Sequence, residues 1–195
     1  MFSKFFEELK ARGPLDKDKW DEYVSHYNRI EVPAKAVLLK EGEISKRAYI
    51  VEQGCMRVWF NNNGKDITYH FVFENEVVTS AESFIKNVPS LFTIETIEPC
   101  VVHWIHKHDL DRILGEMHEI PEVRKAYLDA IIERQFHYMK QFLSFIKDTP
   151  TQRYLNLIEE NPQIIKRVPQ HYIASYLGIT PVSLSRIRSK VKLYQ

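Results

Sequence analysis

The residues best arranged to do chemistry stand near the carboxy terminus, in Gln170 to Lys190, QHYIASYLGITPVSLSRIRSK. At about 100° per residue, a helix starting near Pro181 puts Leu184, Ile187 and Val191 on one side. Val182, Ser185, Arg186 and Ser189 then face the other way, as side chains that a groove of duplex DNA would meet. Thr180, Ser183 and the amides at the helix start would sit on phosphates, and Arg188, Lys190 and Lys192 would supply charge at its flank. This chemistry is recognition, and no catalytic set is assigned.

Such a face needs a rigid mount. Counting from Gln170, Ile173, Ala174 and Leu177 fall on one helix, Gly178 in a turn, and Ile179, Leu184 and Ile187 on the inner side of the next segment. Two steeply crossed helices need a small residue at the contact, which Ala174 supplies, and a corner residue that tolerates positive φ, which Gly178 supplies. Thr180-Pro181 is a strong helix start, a hydroxyl cap followed by proline at the first helical position. The spacing is that of a helix-turn-helix; the plainer alternative is an ordinary pair of core helices.

Upstream, Asp148-Thr149-Pro150 reads as a hinge that starts the helix TQRYLNLIEEN, terminated by Asn161-Pro162. A long helix is expected from about Pro121 to Ile146, with Val123, Tyr127, Ala130, Ile131, Tyr138, Phe142 and Phe145 close to a common side. It would extend roughly 39 Å, enough to join two domains and to pair with its copy in a dimer. The alternative is a helix packed wholly on its own domain. From Val32 to His106 short β-rich runs alternate with turn residues, and Asn63-Gly64 between CMRVWF and ITYHFVF is a favoured hairpin turn. This pattern predicts an antiparallel barrel or jelly roll, a shape that often holds a ligand. Two helices open the chain, one carrying Phe2, Phe5, Phe6 and Leu9 and a second from Asp16 to Tyr27. The fold class is α+β.

Charge is distributed to match. The net charge of +1 over 195 residues conceals a tail from residue 149 to 195 with seven cations (Arg153, Lys166, Arg167, Arg186, Arg188, Lys190, Lys192) against Glu159 and Glu160, a net +5. The remainder carries −4. Positive charge gathered on the reader is what phosphate binding requires. A hydrophobic content of 44% suffices for a proper core. Cys55 and Cys100 are too few and too scattered for a disulfide framework and read as small buried hydrophobes. No apolar run is long enough to span a bilayer and no leader is visible, so a soluble cytoplasmic protein with no membrane partner is expected.

The order jelly roll, long helix, hinge, helix, helix-turn-helix resembles the catabolite activator and fumarate-nitrate regulator (Crp/Fnr) family of bacterial transcription factors. The carriers are KEGEISKRAYIVEQGCMRVWF, TPTQRYLNLIEENP and, most diagnostic, IASYLGITPVSLSRI. The resemblance implies a cyclic nucleotide-binding-like sensor over 1–118, a dimerisation helix over 119–147 and a helix-turn-helix domain over 148–195. It also implies a homodimer on double-stranded DNA with two half-sites about 34 Å apart, and adds RNA polymerase and an unidentified small-molecule effector as candidate partners. Arg186 stands where the family's arginine reads guanine, to which its fork is suited. Pro181 and Val182 stand where the best-known members carry arginine and glutamate, so the operator should differ, with Val182 against a thymine methyl.

Family members that bind cyclic AMP grip the phosphate and ribose with an Arg-Ser pair after a short helix carrying Gly-Glu. Aligned on CVVHWI, those two positions hold Ser90 and Leu91, and Glu82 and Glu95 are the nearest acids and would repel an anion. With Ser83 these define the effector pocket as Glu82, Ser83, Ser90 and Leu91. No arginine lies between Arg57 and Arg112, so the bidentate clamp is missing, Lys86 offers only a point charge, and standard cyclic AMP binding is not expected. No iron-sulfur or haem pattern is present, and no cofactor is assigned. A cupin-like metal enzyme using His70, His103, His106 and His108 is the competing enzyme reading, but His103 and His106 are three apart on a strand and point to opposite faces. A third reading is a protein-interaction module that has lost DNA readout, against which the cationic tail and Arg186 count.

Overall fold

The computed structural model describes residues 17–192, so the expected helix of Phe2 to Leu9 lies outside the described residues. Helix α1 (Lys17–Ser25) leads into strands β1 (Asn28–Val32), β2 (Val37–Leu39), β3 (Arg47–Gln53), β4 (Met56–Asn62), β5 (Lys65–Val72) and β6 (Val77–Val78). A short helix α2 (Ala81–Lys86), β7 (Thr93–Thr96) and β8 (Cys100–His106) complete the β region. Helices α3 (Lys107–His118), α4 (Pro121–Lys147), α5 (Pro150–Glu160), α6 (Pro162–Arg167), α7 (Gln170–Tyr176) and α8 (Pro181–Lys192) come after it.

The strands form two four-stranded antiparallel sheets, ordered β1-β8-β3-β6 and β2-β7-β4-β5, the jelly roll expected from the turn spacing. The β4–β5 turn has positive φ at both Asn63 (53°) and Gly64 (82°), the geometry that primed hairpin turns need. Alternation along each strand then builds three cores instead of one. Inside the roll, Tyr49 and Val51 of β3 meet Met56 and Val58 of β4, with Ile94 and Val102. On the outside of the first sheet, Ala48, Ile50 and Ile105 pack against Trp20, Tyr23, Ile113, Met117 and Val123. Against the second sheet, Cys55, Phe71 and Phe73 join the apolar side chains of the carboxy-terminal helices.

Both cysteines are buried and unbridged; burial pushes the Cys100 thiol up to about 11, as inert as the sequence suggests. One boundary differs from expectation. Asn161-Pro162 ends α5, but the proline also starts α6, a six-residue helix, because a residue with no amide hydrogen is as comfortable opening a helix as closing one.

Candidate nucleic-acid interface

The helix pair α7–α8 is assembled around Ala174 and Leu184, neither of which exposes any surface, with Ile173, Leu177 and Ile187 completing the contact. Gly178 turns the corner at φ +66°. A β-carbon there would lie 3.2 Å from the ring of Phe145 at the end of α4, so conformation and space both select glycine. Thr180 caps α8, its Oγ1 accepting from the Ser183 amide at 3.1 Å and sharing a 2.9 Å bond with the Ser183 hydroxyl. With Pro181 lacking an amide hydrogen and the Leu184 amide donating to the Thr180 carbonyl at 3.0 Å, most of the first-turn donors are already used within the helix start.

The turn is also bolted to the hinge. Arg153 donates to the Leu177 carbonyl through two nitrogens, at 3.3 and 3.0 Å, and to the Asp148 carbonyl at 2.9 Å. Its guanidinium lies 4.9 Å from the centre of the Phe145 ring. Ser144 and Asn156 both donate to the Asp148 carboxylate, and Thr149 caps α5 through the Gln152 amide as the sequence indicated.

On the outer face Val182 is 61% exposed, and Ser185, Arg186, Ser189 and Lys190 are exposed with it. Ser183 and Arg188 are half-buried at the edges, and Lys192 is the last residue of α8. The Ser189 hydroxyl donates back to the Ser185 carbonyl at 3.1 Å. Val182, Ser185, Arg186 and Ser189 therefore share one open surface, with Ser183 and Arg188 at its edges.

The long helix requires a correction. Val123 is buried in the sensor core, and Tyr138 faces β5, its ring 5.8 Å from Tyr69 and 6.2 Å from His70. Phe145 lies against Gly178 and Arg153. Of the residues assigned to a pairing stripe, Tyr127, Ala130, Ile131, Phe142 and Phe145 remain exposed. The broad open apolar face is centred a quarter-turn away. Leu128, Ile132, Met139, Phe142 and Ile146, with Gln135, recur at alternating intervals of four and three, and the five apolar members are all exposed. That interval is the seam of a two-stranded coiled coil.

The four proposed pocket residues are split by the structure. Ser83 and Ser90 are buried, whereas Leu91 is 68% exposed, and Glu82 points outward in an ion pair with Lys86 at 2.9 Å. Glu95 faces the outside of the second sheet, where Arg57 holds it at 2.7 and 3.0 Å. Neither carboxylate therefore bears on the roll's interior, correcting the expected repulsion. The rim is occupied instead by a set of mutually bonded hydroxyls. Ser90 donates to the Phe92 carbonyl at 2.7 Å and bonds Ser80 at 3.0 Å. Ser83 Oγ accepts from the Ser45 amide at 2.8 Å, and the Ser45 hydroxyl meets Thr79 at 3.1 Å. An open groove of about 200 Å³ borders this network beside Leu38, Glu43, Arg47 and Tyr49.

The histidines of the competing metal reading are dispersed. His70 lies on β5 of the second sheet, His103 pairs with Glu52 at 2.7 Å, His106 stacks edge-on against Trp104 and His108 is exposed. Among the described residues no group of three or more candidate metal ligands occurs, and no helix is long and apolar enough to cross a membrane.

Residues 29–116 match the family model described as the cyclic nucleotide-binding domain. The chain is similar in structure to the c-di-GMP responsive global regulator CLP of Xanthomonas campestris, at 15% identity and TM-score 0.71, covering 91% of this chain and 92% of that one. FixK2 of Bradyrhizobium japonicum aligns at 17% identity and TM-score 0.72 over 86% and 85% of the respective chains. A CooA variant from Carboxydothermus hydrogenoformans aligns at 12% identity and TM-score 0.74, covering all of this chain (100%) and 86% of the other. No curated protein sequence matches the chain significantly.

Proposed function

We propose, from the match of residues 29–116 to the cyclic nucleotide-binding domain model and from a fold like that of CLP and FixK2, that this chain is a DNA-binding transcriptional regulator of the Crp/Fnr type acting as a homodimer on two half-sites. The observation that carries the reading is the open face of α8, where Val182, Ser185, Arg186 and Ser189 stand together on a domain of net charge +5. A helix presented in this way fits the major groove. Arg186, the one cation among these four, forks onto a guanine, while Val182 offers a methyl surface to thymine.

The seam of Leu128, Ile132, Gln135, Met139, Phe142 and Ile146 supports pairing of two α4 helices. Five large apolar side chains left open along about 27 Å of helix are costly in water and favour burial against an identical stripe. The sensor does not grip cyclic AMP in the standard way. Its rim hydroxyls satisfy one another, and Arg57, which could otherwise clamp a phosphate, is turned outward onto Glu95. Calorimetry tests this directly: no binding of cyclic AMP at micromolar concentration is expected, and a micromolar affinity would refute it. For the reader, binding of the full chain to duplex DNA should be specific and fall steeply with salt; binding that ignores sequence would contradict the assignment.

A further inference from the structure

The reader rests on its own sensor, and that contact has an unusual composition. Ser175 of α7 accepts from the Thr68 amide at 2.9 Å and donates to the Asp66 carbonyl at 2.7 Å, joining α7 to β5. Tyr172 covers the Arg57 guanidinium at 4.0 Å and Tyr176 packs on Phe71. At the rim, Arg167 from the end of α6 forks onto both oxygens of Glu74 at 2.7 Å and onto Glu98. Bidentate charge-assisted bonds of this kind are strong, and Arg167 holds the Glu74 carboxyl down at about 2.

The centre of the same contact is unfavourable. Arg57 Nη1, Trp59 Nε1 and Thr68 Oγ1 are buried without a protein partner, and among the described residues they are the buried side-chain polar atoms of that kind. They are neighbours. Arg57 and Trp59 are two apart on β4, with the guanidinium 4.7 Å from the indole, and Thr68 is the cross-strand partner of Trp59. Arg57 is only 3% exposed. Desolvated donors with nothing to bond disfavour the closed state, and lifting α7 would hydrate them.

Charge gives the direction. The sensor face under the reader presents Asp66, Glu74, Glu95 and Glu98 against a single arginine, Arg57. Held there, the reader lies beside carboxylates that repel phosphate, and Arg167 is withdrawn from its cations. We propose that this interface is an autoinhibitory latch, closed by Arg167 on Glu74 and Glu98 and biased to open by the burial of Arg57, Trp59 and Thr68, with the released reader binding DNA more tightly. The proposal rests on the DNA-reader assignment above.

Two full-length variants test it from the sensor side, leaving every reader residue intact. Glu74→Gln with Glu98→Gln removes the rim charges while keeping a carbonyl for the Gly54 amide that Glu74 accepts. Thr68→Val removes one of the unsatisfied polar atoms at nearly unchanged volume. Hydrogen exchange of the amides at Thr68 and along α7 should speed up on the order of tenfold in the first variant and slow several-fold in the second. Affinity for a duplex selected by the wild type from a random pool should rise in the first and fall in the second. Unchanged exchange in both variants overturns the latch, and exchange that shifts while affinity stays constant or moves the opposite way overturns its autoinhibitory role. Failure of every variant to bind DNA would strike at the regulator reading, and the exchange rates, which need no DNA, separate that result from a failed latch.

Discussion

Arg186 and Lys190 stand one turn apart on α8, both exposed, yet their expected work differs. Replacing Arg186 by alanine should cost about 1–3 kcal/mol of operator binding and relax the preference at one base pair, whereas Lys190→Ala should weaken all sequences alike and lower the salt slope by about 1. Titrations against an operator and its single-base variants at several salt concentrations distinguish them; equal losses on every duplex would contradict the division. The mount beneath them is equally specific. Gly178→Ala forces a side chain into a left-handed corner and against Phe145, so thermal unfolding should show a loss of about 1–2 kcal/mol.

The helix-turn-helix geometry is legible in the sequence because it is local: a small residue, a glycine, a Thr-Pro start and a 3.6-residue period all lie within about twenty positions. The facing of Glu95 was not. Every residue of β7 is buried, so alternation between solvent and core gives no clue to which side a given residue takes, and only the pairing of Arg57 with Glu95 across β4 and β7 fixes it.

At the scale of elements, the extent of α4 is readable from its period and its capping proline, but its working face is not. The helix carries large apolar side chains around most of its circumference, and a period alone cannot say which stripe meets the sensor. A long-range contact settles that question, the seat of Tyr138 and Gln141 on Tyr69. Met139→Glu, in the middle of the proposed seam, should convert a dimer to monomers in sedimentation analysis without unfolding the chain, whereas a persisting dimer would show that pairing occurs elsewhere. The opposite face of α4 covers His70, whose pKa burial lowers to about 4, with His137 and Arg134 adding repulsion.

A histidine held neutral in the folded state binds a proton more readily once unfolded. Stability linked to His70 is therefore present above its ordinary pKa and is lost as pH falls from about 6.5 toward 4, by up to roughly 3 kcal/mol. Glu74, held at about 2, contributes its own loss only at lower pH, as the solution falls below the ordinary carboxylate range. Chemical denaturation from pH 7 to 4 should show the first decline, and His70→Gln should flatten it; an unchanged slope in the variant would remove His70 as the cause.

At the scale of the whole molecule, three apolar cores among the described residues tie the pieces together, and the carboxy-terminal helices share the third with the outer face of the roll. Charge is segregated in the same sense, −4 before residue 149 and +5 after it, so one end of the chain attracts phosphate and the other resists it. Two such chains joined along α4 would present two cationic readers related by a twofold axis. The most direct measurement is selection of bound duplexes from a random pool by the full-length protein at physiological salt. Enrichment of inverted half-sites whose centres lie about 34 Å apart, one turn of DNA, is expected. Recovery of unrelated sequences, or of single half-sites without a symmetric partner, would contradict it.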